Sequence, residues 1–184
     1  MELIETKLSD MKVFKLAMYK DDRGFFMETF NADHYRQYGV DKVFVQDNYS
    51  RSAKGVIRGM HYQLPKPQGK LIHVTAGEIL DIAVDIRVGS PTFGQWASVV
   101  MSAENQLQVY IPEGFAHGFH VLSDTADVMY KCTNVYSPGD DRGILWNDDE
   151  VGIVWELTDD VVVSDKDKVN PRLSQVPVNQ LPVY

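Results

Sequence analysis

Glu78-Ile79-Leu80-Asp81-Ile82-Ala83-Val84-Asp85-Ile86 is the stretch whose reading decides the fold. Side chains alternate faces along a strand, so Leu80, Ile82, Val84 and Ile86 share one face. Ile79, Asp81, Ala83 and Asp85 share the other. Further β-type segments run outward from it on both sides. They are Lys12–Met18, Phe25–Thr29, Phe44–Ser50, Val56–Gln63, Lys70–Thr75, Ala97–Met101, Leu107–Ile111, Phe115–Leu122 and Val128–Val135. Turn signals separate them, among them Asp22-Arg23-Gly24, Lys54-Gly55, Ala76-Gly77, Gly89-Ser90-Pro91 and Ser137-Pro138-Gly139. Many short, evenly spaced strands predict an all-β sandwich, barrel or jelly roll. One short helix is expected at Ala32–Tyr38, with Asn31 placed to cap it and Gly39 to end it. The tail from Pro171 also carries Pro177 and Pro182, and is expected to cross the surface with little regular structure.

Composition bounds the function. A chain of 184 residues, 44% hydrophobic, is expected to fold as a single domain, residues 1–184, around a substantial core. A net charge of −8 argues against a nucleic-acid partner, which would need a basic face. No apolar run approaches membrane-spanning length. Met1–Lys7 has no basic segment followed by an apolar one, so no secretory signal is expected. Cys132 is the only cysteine and cannot form an intramolecular disulfide. The expected location is cytoplasmic.

Two strands carry chemistry. Arg58-Gly59-Met60-His61-Tyr62-Gln63, followed by Gln68-Gly69-Lys70-Leu71, concentrates polar groups where a core strand would be apolar. Pro112-Glu113-Gly114-Phe115-Ala116-His117-Gly118-Phe119 places a second histidine among aromatic residues. Simple alternation puts Gly59, His61 and Gln63 on one face, with Arg58, Met60 and Tyr62 on the other unless the strand bulges. Taken singly each motif has a plain structural explanation. A strand histidine is usually hydrogen-bonded within the fold. Tyr130 would be a packing residue, Lys70 a solvated lysine, and Ser164-Asp165-Lys166-Asp167 a polar turn.

Taken together, and in this order, the motifs closely resemble the dTDP-4-dehydrorhamnose 3,5-epimerase family of cupin-type sugar epimerases. The resemblance begins at Asp22-x-Gly24-x-Phe26-x-Glu28 and Gln46-Asp47-Asn48-x-Ser50, and passes through the two histidine strands. It continues through Asp81–Arg87, Ser90–Trp96 and Tyr130-Lys131-x-Thr133 to Ser164-x-Lys166-Asp167. It implies a cupin-type jelly roll (a double-stranded β-helix) with short peripheral helices, and a homodimer. The implied reaction inverts C3 and C5 of dTDP-4-dehydro-6-deoxy-D-glucose to give dTDP-4-dehydro-L-rhamnose, without a cofactor or metal. It also implies roles: His61 as base, Tyr130 as acid on the opposite face of the sugar, Asp167 as the carboxylate that orients His61, and Lys70 as the cation beside O4. Arg23, Glu28, Gln46, Asp47, Asn48, Arg58, His117 and Lys166 match positions that hold the nucleotide sugar, and Tyr136 the aromatic that stacks on thymine. Two departures stand out. Asp141 occupies a position where the family often has Glu, and Asn147-Asp148-Asp149 replaces the usual Asp-Pro after Trp146, for which a loop change is expected. Relatives on this scaffold invert both carbons or only one, and the acid and base do not separate them.

The chemistry fits these residue types. In a 4-keto sugar the C3 and C5 hydrogens both lie α to one carbonyl, so loss of either leaves an enolate with its charge on O4. A neutral histidine can take the proton if a donor stabilises the enolate, for which Lys70 and His117 are the candidates. Inversion then needs a second group on the other face. A diphosphate also explains how Arg23, Arg58 and Lys166 can converge in an acidic chain. A metal-dependent cupin, such as a dioxygenase, would need His-x-His followed by Glu, where this chain has His61-x-Gln63 and then Pro67 or Gln68. A non-catalytic sugar-nucleotide-binding module would be favoured only if the acid or base were missing. Epimerase activity is therefore expected to survive exhaustive chelation. Loss to chelator with recovery on adding one divalent ion would contradict this.

Overall fold

The computed structural model describes residues 1–157 and 160–184. Two antiparallel sheets lie face to face. The first contains Glu2–Ile4 (β1), Lys12–Lys15 (β2), Gln46–Ala53 (β5), Lys70–Ala76 (β7), Leu107–Ile111 (β10) and Thr125–Cys132 (β12), in the order β1-β2-β10-β7-β12-β5. The second contains Val56–Gln63 (β6), Glu78–Asp85 (β8), Trp96–Ser102 (β9), Phe115–Val121 (β11) and Asp141–Gly143 (β13), in the order β13-β6-β11-β8-β9. Val162–Val163 (β14) joins the start of β6 in parallel. Met18–Asp21 (β3) and Gly24–Met27 (β4) form a separate ribbon. Successive strands pass between the sheets, which makes this a cupin-type jelly roll.

Strand β8 shows why. It is buried from Ile79 to Asp85, so both faces must be covered. Ile79 and Ala83 join Ile72, Val74, Val109 and Val128 of the first sheet in the interior between the sheets. Leu80, Ile82, Val84 and Ile86 pack outward against Ile144, Trp155, Leu173, Val176 and Leu181. The outer face of the first sheet is covered in turn by Ala32–Gln37 (α1), whose Tyr35 packs with Phe14, Leu71 and Tyr110. Asn31 caps this helix by accepting from Asp33 N.

The tail from Pro171 differs from its expectation. It forms two 3-10 turns, Leu173–Gln175 and Val178–Gln180, and buries Leu173, Val176 and Leu181 against the second sheet. Burial of each such side chain stabilises by about 1.5–3 kcal/mol. Asp148, in the loop that lacks Asp-Pro, is buried and accepts from Leu173 N at 2.7 Å. That loop therefore anchors the tail.

One irregularity shapes the site. His117 pairs with His61, but Phe119 pairs with Arg58, so β6 has one residue more than β11 over this interval. The bulge breaks simple alternation and brings Arg58 onto the cavity wall with His61 and Gln63. Met60 stays in the outer core. The two backbones approach so closely here that a Cβ on Gly59 would lie 2.5 Å from Gly118 Cα. Gly59 also has φ of +134°, a conformation that only glycine adopts easily.

Candidate active site

A cavity of about 690 Å³ opens between the sheets at one end of the jelly roll. Its walls come from opposite sides. β6 and β11 of the second sheet supply Arg58, His61, Gln63 and His117, while β5, β7 and β12 of the first supply Gln46, Asn48, Lys70 and Tyr130. The rim carries Tyr136, Asp141 and Lys166, and Asp167 lines the wall beside His61.

Asp167 reaches the cavity through a local device. Ser164 caps the single-turn helix Asp165–Lys168 (α2) by accepting from Asp167 N at 3.1 Å. The turn lies directly after β14, whose pairing with β6 fixes its position. Asp167 is buried and its Oδ1 lies 2.6 Å from His61 Nε2. A carboxylate only accepts, so Nε2 carries a proton, and in the neutral form of the ring Nδ1 keeps a lone pair. Burial works to raise the Asp167 pKa. The bond and charge of His61, with further bonds from Ser164 and Gly59 N, outweigh it and hold the group below the usual carboxylate value.

A second pair lies deeper. Asp81, fully buried on β8, accepts from His117 Nε2 at 2.7 Å. Burial lowers the His117 pKa, with Asp81 pulling the other way, which favours the neutral ring. Asp81 was absent from the sequence-derived candidates. Its signal was two aspartates on a strand otherwise apolar on both faces, each needing an internal partner. The other, Asp85, is bonded to Arg87, Ser90 and Thr92, which overcome its burial and hold its pKa down to about 2.

Lys70 has no hydrogen-bonded or ion-paired partner among the described residues. Burial lowers its pKa, against the charges of Cys132, Asp81 and Asp141, which makes its ammonium a stronger donor. Burial raises the Tyr130 pKa, so the phenol keeps its proton. Ser50 Oγ is also buried at this cavity with no partner among the described residues.

Lys166 and the Tyr136 hydroxyl both bond Asp141, the Tyr136 bond at 3.0 Å. Burial works against the Lys166 charge, but the bond and charge of Asp141 raise its pKa overall.

Three expected contacts are not brought to this cavity. Asp47 alternates with Gln46 and Asn48, which line it, and so lies on the opposite face of β5, where Lys131 binds it at 3.0 Å. Arg23 lies at the tip of the β3–β4 ribbon, its side chain 90% exposed and paired with Asp21 at 2.5 Å. Glu28, just beyond β4, bonds His34 and Asn31. Among the described residues no group of three His, Cys, Asp or Glu side chains is arranged to hold a metal ion. Also among them, no helix is long and apolar enough to cross a membrane.

Comparison with known proteins agrees with this geometry. The family model described as dTDP-4-dehydrorhamnose 3,5-epimerase matches residues 5–175. A dTDP-4-dehydrorhamnose 3,5-epimerase from Shigella flexneri is 52% identical over 169 residues, covering 91% of this chain and 93% of its own. One from Neisseria gonorrhoeae is 49% identical over 95% of this chain, which spans only 53% of that protein's length. The crystal structure of dTDP-6-deoxy-D-glucose-3,5-epimerase from Legionella pneumophila, in complex with dTDP-4-keto-L-rhamnose, matches with a TM-score of 0.97 and 48% identity. That match covers 100% of this chain and 98% of the other. The jelly roll, the cavity between its sheets and these likenesses converge on one assignment: the chain belongs to the dTDP-4-dehydrorhamnose 3,5-epimerase family.

Proposed function

We propose that this single domain inverts C3 and C5 of dTDP-4-dehydro-6-deoxy-D-glucose, with His61 as base and Tyr130 as acid. The observation that carries the reading is their placement. His61, held by Asp167, is on the second sheet and Tyr130 on the first, so a sugar between the walls presents one face to each. His61 Nδ1 takes the proton from carbon, and the electron pair moves to O4. Lys70 donates to that oxygen. His117 is the weaker candidate for this task, because its neutral ring is favoured and the one N–H of that form is committed to Asp81. Its free nitrogen suits a sugar hydroxyl instead. Tyr130 then protonates the carbon from the other face, and solvent restores both groups.

Arg58 and Lys166 supply charge for the diphosphate, Gln46 and Asn48 supply amides, and Tyr136 offers a ring to thymine. Asp141, engaged by Lys166 and Tyr136, positions these two groups rather than contacting the ligand. Asp47 is assigned no contact. The lone, buried Cys132 favours a cytoplasmic setting.

The ribbon completes the reading. Tyr19, Phe25 and Phe26 are 67%, 64% and 71% exposed, too much apolar surface for an isolated two-stranded element. In a homodimer the ribbon would pack on the partner and deliver Arg23 and Glu28 to its cavity. Light scattering at micromolar concentration should give the mass of two chains; a monomer contradicts this part.

The chemistry is tested in deuterated water by following C3 and C5 with NMR. His61→Asn should abolish exchange at both carbons. Tyr130→Phe should retain exchange, since His61 can return a deuteron to the same face, but should form little inverted product. Wild-type inversion by Tyr130→Phe would leave Tyr130 a packing residue. Exchange at one carbon only in the unaltered enzyme would restrict the reaction to that carbon.

A further inference from the structure

Gln63 occupies a site position for which the reaction has no use. Its side chain is buried, 4% exposed, and makes three hydrogen bonds, all to backbone. Its amide nitrogen donates to Lys66 O at 2.6 Å and Val135 O at 3.2 Å. Its oxygen accepts from Ser137 N at 2.9 Å. Both amide hydrogens are thus used, and nothing is left to donate to a ligand. Two other glutamines hold the same segment. Gln68 Nε2 donates to Asn134 O at 2.7 Å, and Gln46 Oε1 accepts from Tyr136 N at 2.7 Å.

Residues 134–137 belong to no helix or strand. Each of the four is tied by a glutamine side chain: Asn134 by Gln68, Val135 and Ser137 by Gln63, Tyr136 by Gln46. The Tyr136 side chain joins none of the core clusters, and the residue is 52% exposed. Its hydroxyl is held by Asp141, and the rest of its position is set by the loop that carries it. Gln63 makes two of the four ties and is the most deeply buried of the three glutamines.

We infer that Gln63 is a positioning residue of the nucleobase subsite, acting through residues 134–137 on the ring of Tyr136. The inference rests on the reading of Tyr136 as the base platform. An unfixed loop must be ordered each time the nucleotide binds, and that cost falls on binding rather than on the reacting carbon, which lies with His61 and Tyr130. Gln46 has a corresponding role: its oxygen serves Tyr136 N, so it contributes to the ligand site partly by holding the ring.

The test uses two probes, dTDP and inorganic pyrophosphate, with calorimetry and steady-state kinetics. Gln63→Met keeps the length and removes the amide. It should weaken dTDP about 10-fold and pyrophosphate less than about twofold, with KM rising in step and kcat changing less than about twofold. In a Tyr136→Ala background the Gln63 substitution should add nothing further. Equal weakening of both probes, a fall in kcat at constant KM, or an undiminished Gln63 effect without Tyr136 would overturn the inference. If Tyr136→Ala alone leaves dTDP binding unchanged, the platform reading itself has failed. If it weakens dTDP and Gln63→Met does not, only the role of Gln63 has failed. Should Gln63→Met not fold, Gln68→Met breaks the tie to Asn134. It should show the same selective loss of dTDP affinity, and no loss would overturn the inference.

Discussion

The site depends on one hydrogen bond, 2.6 Å long, between His61 on the second sheet and Asp167 near the end of the chain. Residues separated by 106 positions must meet for it to form. The parallel pairing of β14 with β6 brings the chain back, Ser164 caps the turn that follows, and the tail holds that turn in place by burying Leu173, Val176 and Leu181. The bond gives His61 its direction and its tautomer. A proton on Nε2 leaves Nδ1 as the only ring atom able to take one from carbon.

The same economy governs the other charges. The cavity belongs to a chain of net charge −8, yet both carboxylates that line it are engaged, Asp167 by His61 and Asp141 by Lys166 and Tyr136, while Asp81 holds His117 from behind. Lys70 is the cation left without a partner among the described residues. Burying an ammonium unpaired is costly, and in the proposed reaction the enolate oxygen formed beside it would recover that cost. This is the arrangement expected of a site more complementary to an enolate than to the ketone.

Much of this was legible in the sequence. The two faces of β8 follow from alternation, and the spans of β6 and β10 from β-type runs bounded by turn signals. The histidine strands were legible as polar groups in apolar surroundings. Asp47 was misplaced because the family motif gives adjacency in sequence, whereas the strand sends adjacent side chains to opposite faces. Arg58 went the other way: the β6 bulge, marked only by the facing glycines Gly59 and Gly118, returned it to the cavity. The α2 turn and the docked tail were hidden because their order comes from one cap and three aliphatic contacts, which carry no periodic signal. Arg23 at the tip of the ribbon and Glu28 just beyond it lie away from this chain's cavity, so the ligand contacts proposed for them rest on the proposed homodimer.

The most direct test of the central claim is the rate of deuterium exchange at C3 and C5 catalysed by Asp167→Asn, measured alongside dTDP affinity. The amide can donate to Nε2 and so favours a proton on Nδ1, which removes the acceptor that faces the sugar. Exchange should fall by at least about 100-fold while dTDP affinity stays within about twofold. Exchange at the wild-type rate would show that Asp167 does not govern His61, and the assignment of His61 as the polarised base would fall with it.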